Sequence, residues 1–594
     1  MQVERLDRLS GEAKAKLGRA GIGGIVLFCL VVYLPGFFSL STVDREEARV
    51  AQASRQMYES VALPPGQRDA KKHGGRLVVP TIQDRPRLNV PPLIHWAQTA
   101  SAAVMSRGNS YRDDIWMYRL PSLIAAIVVV CLTRRLGTLM FDSGAGRLAA
   151  VLVAVCPIMG WQARQATADM ALLAWTTWAM LELWKVYAWG RVGSAGTVVA
   201  AERPGLQGAA SFWIAIAGGL MTQGPITPLI VGMTTVALCI TGRRCRWLLD
   251  LKPLLALPIL GLAVGPWAYA ASRQVDFATY LETIGRAAIG IGPDSTGWTP
   301  PGYHSALAML LSWPGSILTG LGLFVAWKLG RGNSATGAWR DGHPSYLFLL
   351  AWIVPGWLLF ETIIAKLPSS PLPMYPALAI LGARAILAAD VKALHGVGSK
   401  FGNLWTLLWL LAGAGLVFAV IGGLITRMAI WPSSMVGNVG LAIILIIGGG
   451  AMLRLLKASW GGIVAGKFAR AAVAAVLVMV VFWWIVPTAI LPRVLGFSGQ
   501  IGGELQRIDP GAGRPIASVG YREDSLVFLT RGRLDRLNSP DVPAWLAAHP
   551  DGLLVREKEQ TLQAGPAMRE LGAAAGLNYS TGRMQRVAIE EIAR

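Results

Sequence analysis

The chain alternates apolar segments with short loops that carry most of its positive charge, and this alternation constrains the fold more than any other feature. Hydrophobic residues make up 53% of the 594 residues and charged residues only 15%, against roughly 25% charged residues in soluble proteins. A helix needs roughly 20 residues to cross the hydrocarbon core of a bilayer. The sequence therefore predicts a polytopic α-helical membrane protein.

About thirteen apolar segments qualify as candidate transmembrane helices. They lie at about 21–40, 117–137, 148–163, 169–189, 211–221, 226–240, 253–271, 305–328, 345–365, 372–388, 404–426, 437–453 and 470–491. The segments 211–221 and 226–240 are short and are separated by "TQGP". They can be broken or re-entrant, so a count of about eleven also remains open.

Basic residues concentrate in alternate loops. If residues 1–20 are cytoplasmic, the short inner loops hold most of the lysines and arginines, as the positive-inside rule requires. An odd number of crossings then places the C-terminus outside. We expect a multi-pass protein of the bacterial inner membrane with its C-terminal domain in the periplasm. The basic residues that give the net charge of +21 lie between apolar segments. Membrane topology therefore explains the charge, and no nucleic-acid partner is expected.

Two soluble pieces lie on the outer side. The first loop, 41–116, holds amphipathic stretches at about 44–60 and 92–106 around a middle that contains Pro and Gly. The tail, 493–594, alternates strand-like runs ("PIASVGY", "GLLVREK", "RVAIEEI") with helix-like runs ("DVPAWLAAH", "AGPAMRELGAAAG"). The predicted domains are the N-terminus at 1–20, a transmembrane domain at 21–492 and a small α/β domain at 493–594.

Four polar clusters share this outer side: "STVDREEARVAQASRQM" (41–57), "TIQDRPRLNVPPLIHW" (81–96), "ARQATADM" (163–170) and "KLPSSPLPMYPALAIL" (366–381). Each has an ordinary explanation alone. Carboxylates favour a helix N-terminus, prolines extend a linker, and Asp169 can cap the segment that it begins. Together they exceed what one solvated face requires, and they predict a site in an outward-facing cavity.

The clusters resemble the aminoarabinose transferase and protein O-mannosyltransferase superfamily over roughly residues 20–385. Family stretches read like "DEARYAEVAREM", "PRLNKPPLIYW", "ARLATPDM" and "KLPHYVLPLYPALAL"; here they read "EEARVAQASRQM", "PRLNVPPLIHW", "ARQATADM" and "KLPSSPLPMYPALAI". The resemblance implies the GT-C fold of membrane glycosyltransferases. It also implies transfer of a sugar from a polyprenyl-phosphate carrier, such as undecaprenyl phosphate, to a lipid A-like glycolipid, another envelope glycan or a protein.

The resemblance implies a set of site residues for this chemistry. Carboxylates can stabilise an oxocarbenium-like centre or accept a proton, and cations can hold the leaving phosphate. The candidate catalytic residues are Glu46, Asp169, Asp44 and Glu47. The candidate donor-phosphate and substrate-binding residues are Arg49, Arg45, Arg85, Arg87, Asn89, Arg164, Lys366, His304 and Ser370.

The expected partners are the polyprenyl-phosphate sugar, a lipid or protein acceptor and the membrane, with the chain acting as a monomer. No cofactor is required for this chemistry, although Glu46, Glu47 and Asp169 could bind a divalent cation. His95 has no carboxylate at helical spacing, and we expect it at the membrane interface rather than on a metal.

The chain departs from the family pattern at four positions. Glu46 stands where the family has Asp (with Asp44 as an alternative), Val90 and Gln223 each replace a Lys, and Ser370 replaces a Tyr. An alternative is therefore a catalytically weak or silent relative that acts as a lipid-binding or assembly protein. A transporter or flippase is a third class. Its inverted repeat is not evident in the sequence, and Glu182 is the one ionisable residue deep in an apolar segment.

Overall fold

The computed structural model describes residues 11–67, 77–190, 205–243, 245–291, 299–331, 343–363, 366–389, 399–430, 435–560 and 567–593. The first part of the chain forms an apolar helix and a loop region with two further helices and a short hairpin. These elements are α1 Gly11–Tyr33, α2 Glu46–Ala62, β1 Thr81–Ile82, β2 Arg85–Pro86 and α3 Leu93–Met105. The two amphipathic stretches of the first loop are thus confirmed as helices.

Most of the chain then forms a helical bundle. Its elements are α4 Ile115–Met140, α5 Ser143–Val155, α6 Pro157–Gln162, α7 Asp169–Trp189, α8 Leu206–Gln223, α9 Ile226–Gly242, α10 Ala256–Ser272, α11 Phe277–Ala288, α12 Tyr303–Leu311, α13 Thr319–Arg331, α14 Pro344–Thr362, α15 Tyr375–Ala389, α16 Ser399–Ile430, α17 Met435–Ile444, α18 Gly450–Val464, α19 Phe468–Ile485 and α20 Leu491–Val494.

Within the described ranges, six helices are long and apolar enough to cross a membrane by length and composition. They are Ile115–Met140, Arg246–Ser272, Pro344–Thr362, Asn403–Met428, Val439–Val464 and Phe468–Val494. The chain is therefore a helical, multi-pass membrane protein. Shorter apolar helices account for several of the other expected segments, and the count of thirteen crossings stays a prediction.

The two short segments around "TQGP" form separate helices, α8 and α9. Gly224 joins them with a φ of +63°, and a Cβ at this glycine would lie 2.3 Å from Ile284 of α11. Only glycine combines this backbone conformation with so close a neighbour. The turn ends α8 at Gln223 and leaves this residue close to α11.

The bundle packs around one apolar core in which small residues let the helices approach closely. Val130, Ala150 and Leu173 are fully buried in this core. A Cβ at Gly137 of α4 would lie 3.0 Å from the Cα of Gly146 in α5. Close approach of this kind is typical of helix packing in membranes, where van der Waals contact replaces the hydrophobic driving force.

The C-terminal part forms the expected α/β domain. It contains α21 Phe497–Ile508, β3 Ile516–Val519, α22 Asp524–Leu529, β4 Leu534–Leu537, α23 Val542–Ala548, β5 Leu553–Glu557, β6 Met568–Asn578 and β7 Arg583–Ile592. The sheet order is β4-β3-β5-β7-β6. β3 pairs in parallel with β4 and β5, and β7 pairs antiparallel with β5 and β6.

One expectation for this domain is wrong. The run "AGPAMRELGAAAG" was expected to be helix-like, but from Met568 onward it lies in strand β6. Alanine, leucine and glutamate favour helix locally. The long antiparallel ladder with β7, from Met568–Ile592 to Asn578–Arg583, overrides that preference by tertiary pairing.

The C-terminal domain packs on α2. Arg49 of α2 pairs with Asp524 of α22 at 2.6 Å, and Arg531 pairs with Glu59 of α2 at 2.8 Å. Most of α2 is consequently buried. One face of α2 therefore meets a protein domain.

Candidate functional site

A cavity of about 520 Å³ lies where the ends of several helices meet. Its polar lining comes from the start of α2, the segment before α3, the start of α7, the end of α8, helix α11 and the segment that leads to α15. The apolar part of the wall comes mainly from α9, α11 and the end of α14. The polar and charged lining residues are Glu46, Asn89, Asp169, Gln223, Thr283, Arg286, Ser369 and Ser370.

Glu46 begins α2 and faces this cavity. Its side chain is 48% exposed, and its Oε1 accepts a hydrogen bond of 2.7 Å from Nη2 of Arg87, which is only 6% exposed. Arg87 is fixed because its backbone N–H donates to Pro80 at 2.7 Å. The charge-assisted hydrogen bond to the buried guanidinium holds the Glu46 carboxylate in position.

Asp169 begins α7 on another wall of the same cavity. Its Oδ2 accepts from the Gln162 amide at 2.9 Å, and its Oδ1 accepts from the Gln223 amide at 3.0 Å. Both partners are neutral amides that hold the carboxylate in place without neutralising it. Glu46 and Asp169 both line this cavity. The structure therefore brings together two of the four candidate catalytic residues.

Arg286 of α11 also lines the cavity, and the sequence analysis did not include it among the site residues. It is 59% exposed and pairs with Glu282 one turn earlier at 3.2 Å. Among the described lining residues it is the one with a cationic side chain. The signal for it was available, because "FATYLETIGRAA" has strong amphipathic spacing and lies on the outer side in the expected topology.

Glu47 lies next to Glu46 in sequence but faces the protein interior. Arg119 of α4 donates to both of its oxygens, at 2.7 and 2.8 Å, and both side chains are 0% exposed. The carboxylate also accepts from the backbone N–H groups of Val43 and Ala166, each at 2.8 Å. Glu47 therefore ties the start of α2 to α4 and to the segment before Asp169, instead of facing the cavity.

Asp44 and Arg49 contact the C-terminal domain. Oδ1 of Asp44 accepts from the Ser525 backbone N–H at 2.7 Å, and burial raises the pKa of Asp44 to about 6. Arg49 pairs with Asp524. Arg45 and Arg85 are exposed and do not belong to the cavity lining. The structure thus does not bring these expected site residues to the cavity wall.

Arg164 and Lys366 bind backbone carbonyls. The Arg164 guanidinium donates to Val32, Pro35 and Gly160 and is fully buried. Lys366 donates to the Thr299 carbonyl at 2.8 Å. These two cations hold backbone segments near the cavity in place, and neither of them lines the cavity.

His304, Ser370 and Asn89 complete the expected set. His304 Nε2 lies 2.9 Å from the carbonyl oxygen of Leu367, so it supports the segment whose residues Leu367 and Ser370 line the cavity. Asn89 also lines the cavity, and its buried Oδ1 has no hydrogen-bond partner among the described residues. Of the three, Ser370 and Asn89 are placed to contact a bound molecule.

Among the described residues no group of three or more His, Cys, Asp or Glu side chains could hold a metal ion. His95, expected at the membrane interface, is instead fully buried between α2 and α3, where its Nδ1 lies 2.8 Å from the Ser54 hydroxyl. Burial and the nearby charge of Arg87 lower its pKa to about 3. His95 is thus a neutral packing residue.

The arrangement combines two carboxylates, one cavity-facing guanidinium and neutral hydrogen-bonding groups in a space with apolar walls. Carboxylates in such a space can accept a proton or stabilise positive charge. A guanidinium can hold a phosphate. The apolar wall suits a hydrocarbon chain attached to that phosphate.

Comparison with known proteins finds sequence relatives and solved structures of similar fold. The chain is 26% identical over 385 residues to the undecaprenyl phosphate-α-4-amino-4-deoxy-L-arabinose arabinosyl transferase of Erwinia tasmaniensis. The aligned region covers 63% of this chain and 60% of that protein. The alignment with this first relative thus spans about three fifths of its length. No family model matches the chain.

Two solved structures have a similar fold. ArnT from Cupriavidus metallidurans bound to undecaprenyl phosphate superposes with a TM-score of 0.67 at 16% identity, over 96% of this chain and 97% of that chain. The Archaeoglobus fulgidus oligosaccharyltransferase gives a TM-score of 0.51 at 12% identity, over 91% of this chain and 69% of that chain. The chain therefore has the helical membrane GT-C fold and is a relative, by sequence, of the undecaprenyl-phosphate aminoarabinose transferases.

Proposed function

We propose that this protein is a glycosyltransferase that moves a sugar from a polyprenyl-phosphate carrier to an envelope acceptor. The observation that carries the proposal is the placement of Glu46, Asp169 and Arg286 around one cavity. The sequence similarity to arabinosyl transferases with an undecaprenyl-phosphate donor supports the same reaction. The proposed acceptor is a lipid A-like glycolipid, another glycan or a protein.

The residues suggest a division of roles. Arg286 holds the donor phosphate, while Arg87 fixes the carboxylate of Glu46. The acceptor hydroxyl attacks the anomeric carbon of the sugar, and its proton passes to Glu46. The bond between that carbon and the phosphate oxygen breaks, and polyprenyl phosphate leaves with the electron pair. Asp169 orients the acceptor or the sugar through its fixed carboxylate.

The leaving phosphate can be held by protein guanidinium groups, so this chemistry does not depend on a cofactor. A divalent cation, if one takes part, would bind at Glu46 and Asp169, because these are the carboxylates on the cavity wall. The protein is proposed to act as a monomer on a lipid or protein acceptor.

We also propose the orientation in the membrane. Residues 1–20 lie in the cytoplasm, about thirteen helices cross the inner membrane, and the domain at 493–594 lies in the periplasm. The charge asymmetry of the loops supports this orientation. It places the cavity on the periplasmic side, where an undecaprenyl-linked sugar and the envelope acceptors are accessible.

The test is transfer of a radiolabelled sugar from a polyprenyl-phosphate donor to lipid acceptors in membranes. Native protein is compared with Glu46→Gln and Asp169→Asn, and Glu559→Gln on the exposed surface of the C-terminal domain is the matched control. We expect transfer by the native and control proteins and a loss of roughly 10²-fold or more in both site variants. Binding of the lipid carrier without transfer from any donor would instead support the silent, lipid-binding relative.

A further inference from the structure

Arg45, the residue before the cavity-lining Glu46, has a backbone conformation that is unusual for a residue with a side chain. Its φ is +63° and its ψ is −115°, which is the mirror image of an ordinary extended residue. Glycine populates this region readily, whereas a Cβ makes it unfavourable. Gly224 has almost the same pair of angles, +63° and −133°. The Arg45 side chain is exposed and makes no capping hydrogen bond, so the neighbouring residues impose the conformation.

The buried pair of Glu47 and Arg119 fixes both ends of the turn that contains Arg45. The Arg119 guanidinium donates to Glu47 and also, at 2.8 and 2.9 Å, to two backbone carbonyls that precede the turn. The Glu47 carboxylate accepts from the Val43 N–H at 2.8 Å. Because both ends are held, relaxation of Arg45 would have to move the three residues between them, 44–46.

The C-terminal domain holds the first of these three residues, Asp44. Asp44 Oδ1 accepts from the Ser525 backbone N–H at 2.7 Å, and the Asp44 N–H donates to the Tyr579 hydroxyl. Glu523 fixes the turn that carries Tyr579, because its carboxylate accepts from the Asn578 amide at 2.8 Å. Asp44 is only 7% exposed. Ser525 and Tyr579 thus form a socket for Asp44 that belongs entirely to the C-terminal domain.

The last of the three residues, Glu46, is the carboxylate that the proposed reaction needs on the cavity wall. In this conformation its Oε1 lies 2.7 Å from Nη2 of Arg87. No described residue of the C-terminal domain lines the cavity. The domain can therefore act on Glu46 through the backbone of residues 44–46, without a group of its own at the site.

We propose that the C-terminal domain keeps Glu46 directed into the cavity by holding Arg45 in its strained conformation; this inference rests on the proposed function. Tyr579 is then a positioning residue, since it acts on the site through the backbone of Asp44. Without the Tyr579 hydroxyl, Asp44 loses one of its two contacts with the socket. Arg45 then relaxes toward a negative φ, and Glu46 leaves the cavity wall.

The first test is the effect of Tyr579→Phe on kcat for sugar transfer in the native, Arg45→Gly and Arg45→Ala backgrounds. In the native background we expect kcat to fall roughly tenfold, because small displacements of a reacting group are costly, with little change in KM for the donor. In Arg45→Gly the loss should be below about threefold, because glycine keeps a positive φ without strain. In Arg45→Ala it should stay roughly tenfold, since alanine removes the guanidinium but retains the Cβ that causes the strain.

The matched control is Tyr269→Phe, which removes a hydroxyl from a residue that is 72% exposed on α10 and should transfer sugar as the native protein does. Thermal unfolding shows whether Tyr579→Phe folds. If it does not, Asp44→Ala, which removes the side-chain contact with the socket, takes its place and should give the same result. An equal loss of kcat in the Arg45→Gly and native backgrounds would overturn the proposal.

The second test needs no sugar transfer. Cryo-electron microscopy of Tyr579→Phe in nanodiscs should show a negative φ at residue 45 and the Glu46 carboxylate separated from Arg87. Native geometry in the folded variant of a protein that transfers sugar would refute the positioning role alone. Relaxed geometry in a protein that transfers no sugar would support the link from the C-terminal domain to Glu46 and count against the proposed reaction.

Discussion

Glu47 and Arg119 form a fully buried ion pair with two hydrogen bonds, and the same carboxylate holds the backbone of Ala166, three residues before Asp169. The pair therefore connects the helix that starts with Glu46 to the segment that presents Asp169. It sets the spacing of the two carboxylates in the cavity, although neither Glu47 nor Arg119 lines that cavity.

Breaking this pair should destabilise the fold. Glu47→Ala leaves Arg119 charged and buried without its partner, which costs about 3–5 kcal/mol. Unfolding followed by tryptophan fluorescence in detergent measures the loss. In the double variant Glu47→Leu/Arg119→Met, stability should return in large part, since no charge is left buried.

A matched control is Glu504→Ala, which breaks an ion pair with Arg507 on the surface, where the side chains are 34% and 62% exposed. Its effect should stay below about 1 kcal/mol. An equal loss of stability in Glu47→Ala and Glu504→Ala would contradict the structural role of Glu47.

Removing the cavity-facing guanidinium should weaken donor binding. Arg286→Ala takes away the cation assigned to the donor phosphate. We expect KM for the polyprenyl-phosphate sugar to rise roughly tenfold or more, the equivalent of about 1.4 kcal/mol, with a smaller change in kcat. Arg273→Ala, an exposed arginine outside the cavity lining, is the control. An unchanged KM in Arg286→Ala would remove Arg286 from the site.

The contact between the first loop and the C-terminal domain should depend on pH through Asp44. Burial, reinforced by Glu523 and Asp524, raises its pKa from 3.8 to about 6. Between these values the folded protein binds more protons than the unfolded chain, so stability falls as the pH rises from 4 to 6, by about 3 kcal/mol at most.

Asp44→Asn should flatten this dependence and increase stability at pH 7, because an amide oxygen can still accept from the Ser525 N–H without carrying a charge. Chemical unfolding of both proteins at pH 4, 5, 6 and 7 gives the comparison. The same slope in both proteins would show that Asp44 does not control the contact.

Arg531 should hold the C-terminal domain in place. It pairs with Asp113 and with Glu59 of α2, each at 2.8 Å. Burial opposes the charge of Asp113, but Arg55 and Arg531 together lower its pKa. Arg531→Met leaves part of this charge unpaired and should weaken docking by roughly 2–5 kcal/mol. The weaker docking should appear as faster amide hydrogen exchange in α2 and α22. Arg583→Met, on the exposed surface, is the control, and its exchange rates should equal those of the native protein.

The local elements could largely be predicted because their periodicity is a property of the sequence. The amphipathic spacing at 44–60 and 92–106 predicted α2 and α3, and all three strand-like runs of the tail contain strands. β6 could not be predicted in the same way. Its alanines and leucine favour a helix locally, and the partner strand β7 that overrides this preference is known only once the sheet is formed.

The composition of the site was predictable, but the direction of each side chain was not. Successive residues of a helix point about 100° apart, and here Glu46 lines the cavity while Glu47 contacts Arg119 in the interior. The direction of each carboxylate depends on Arg119, which is distant in sequence but contacts Glu47, and on the C-terminal domain, which contacts Arg49. Arg286 was missed because the four motif clusters did not include α11.

The most direct test of Glu46 as the proton acceptor is the single-turnover rate of sugar transfer at saturating donor for the native protein, Glu46→Asp and Glu46→Gln. We expect a loss of roughly 10²-fold or more for Glu46→Gln and a smaller loss for Glu46→Asp, which keeps a carboxylate at an altered distance. A native transfer rate in Glu46→Gln would contradict the assignment of Glu46 as the proton acceptor, and with it the central claim about this cavity.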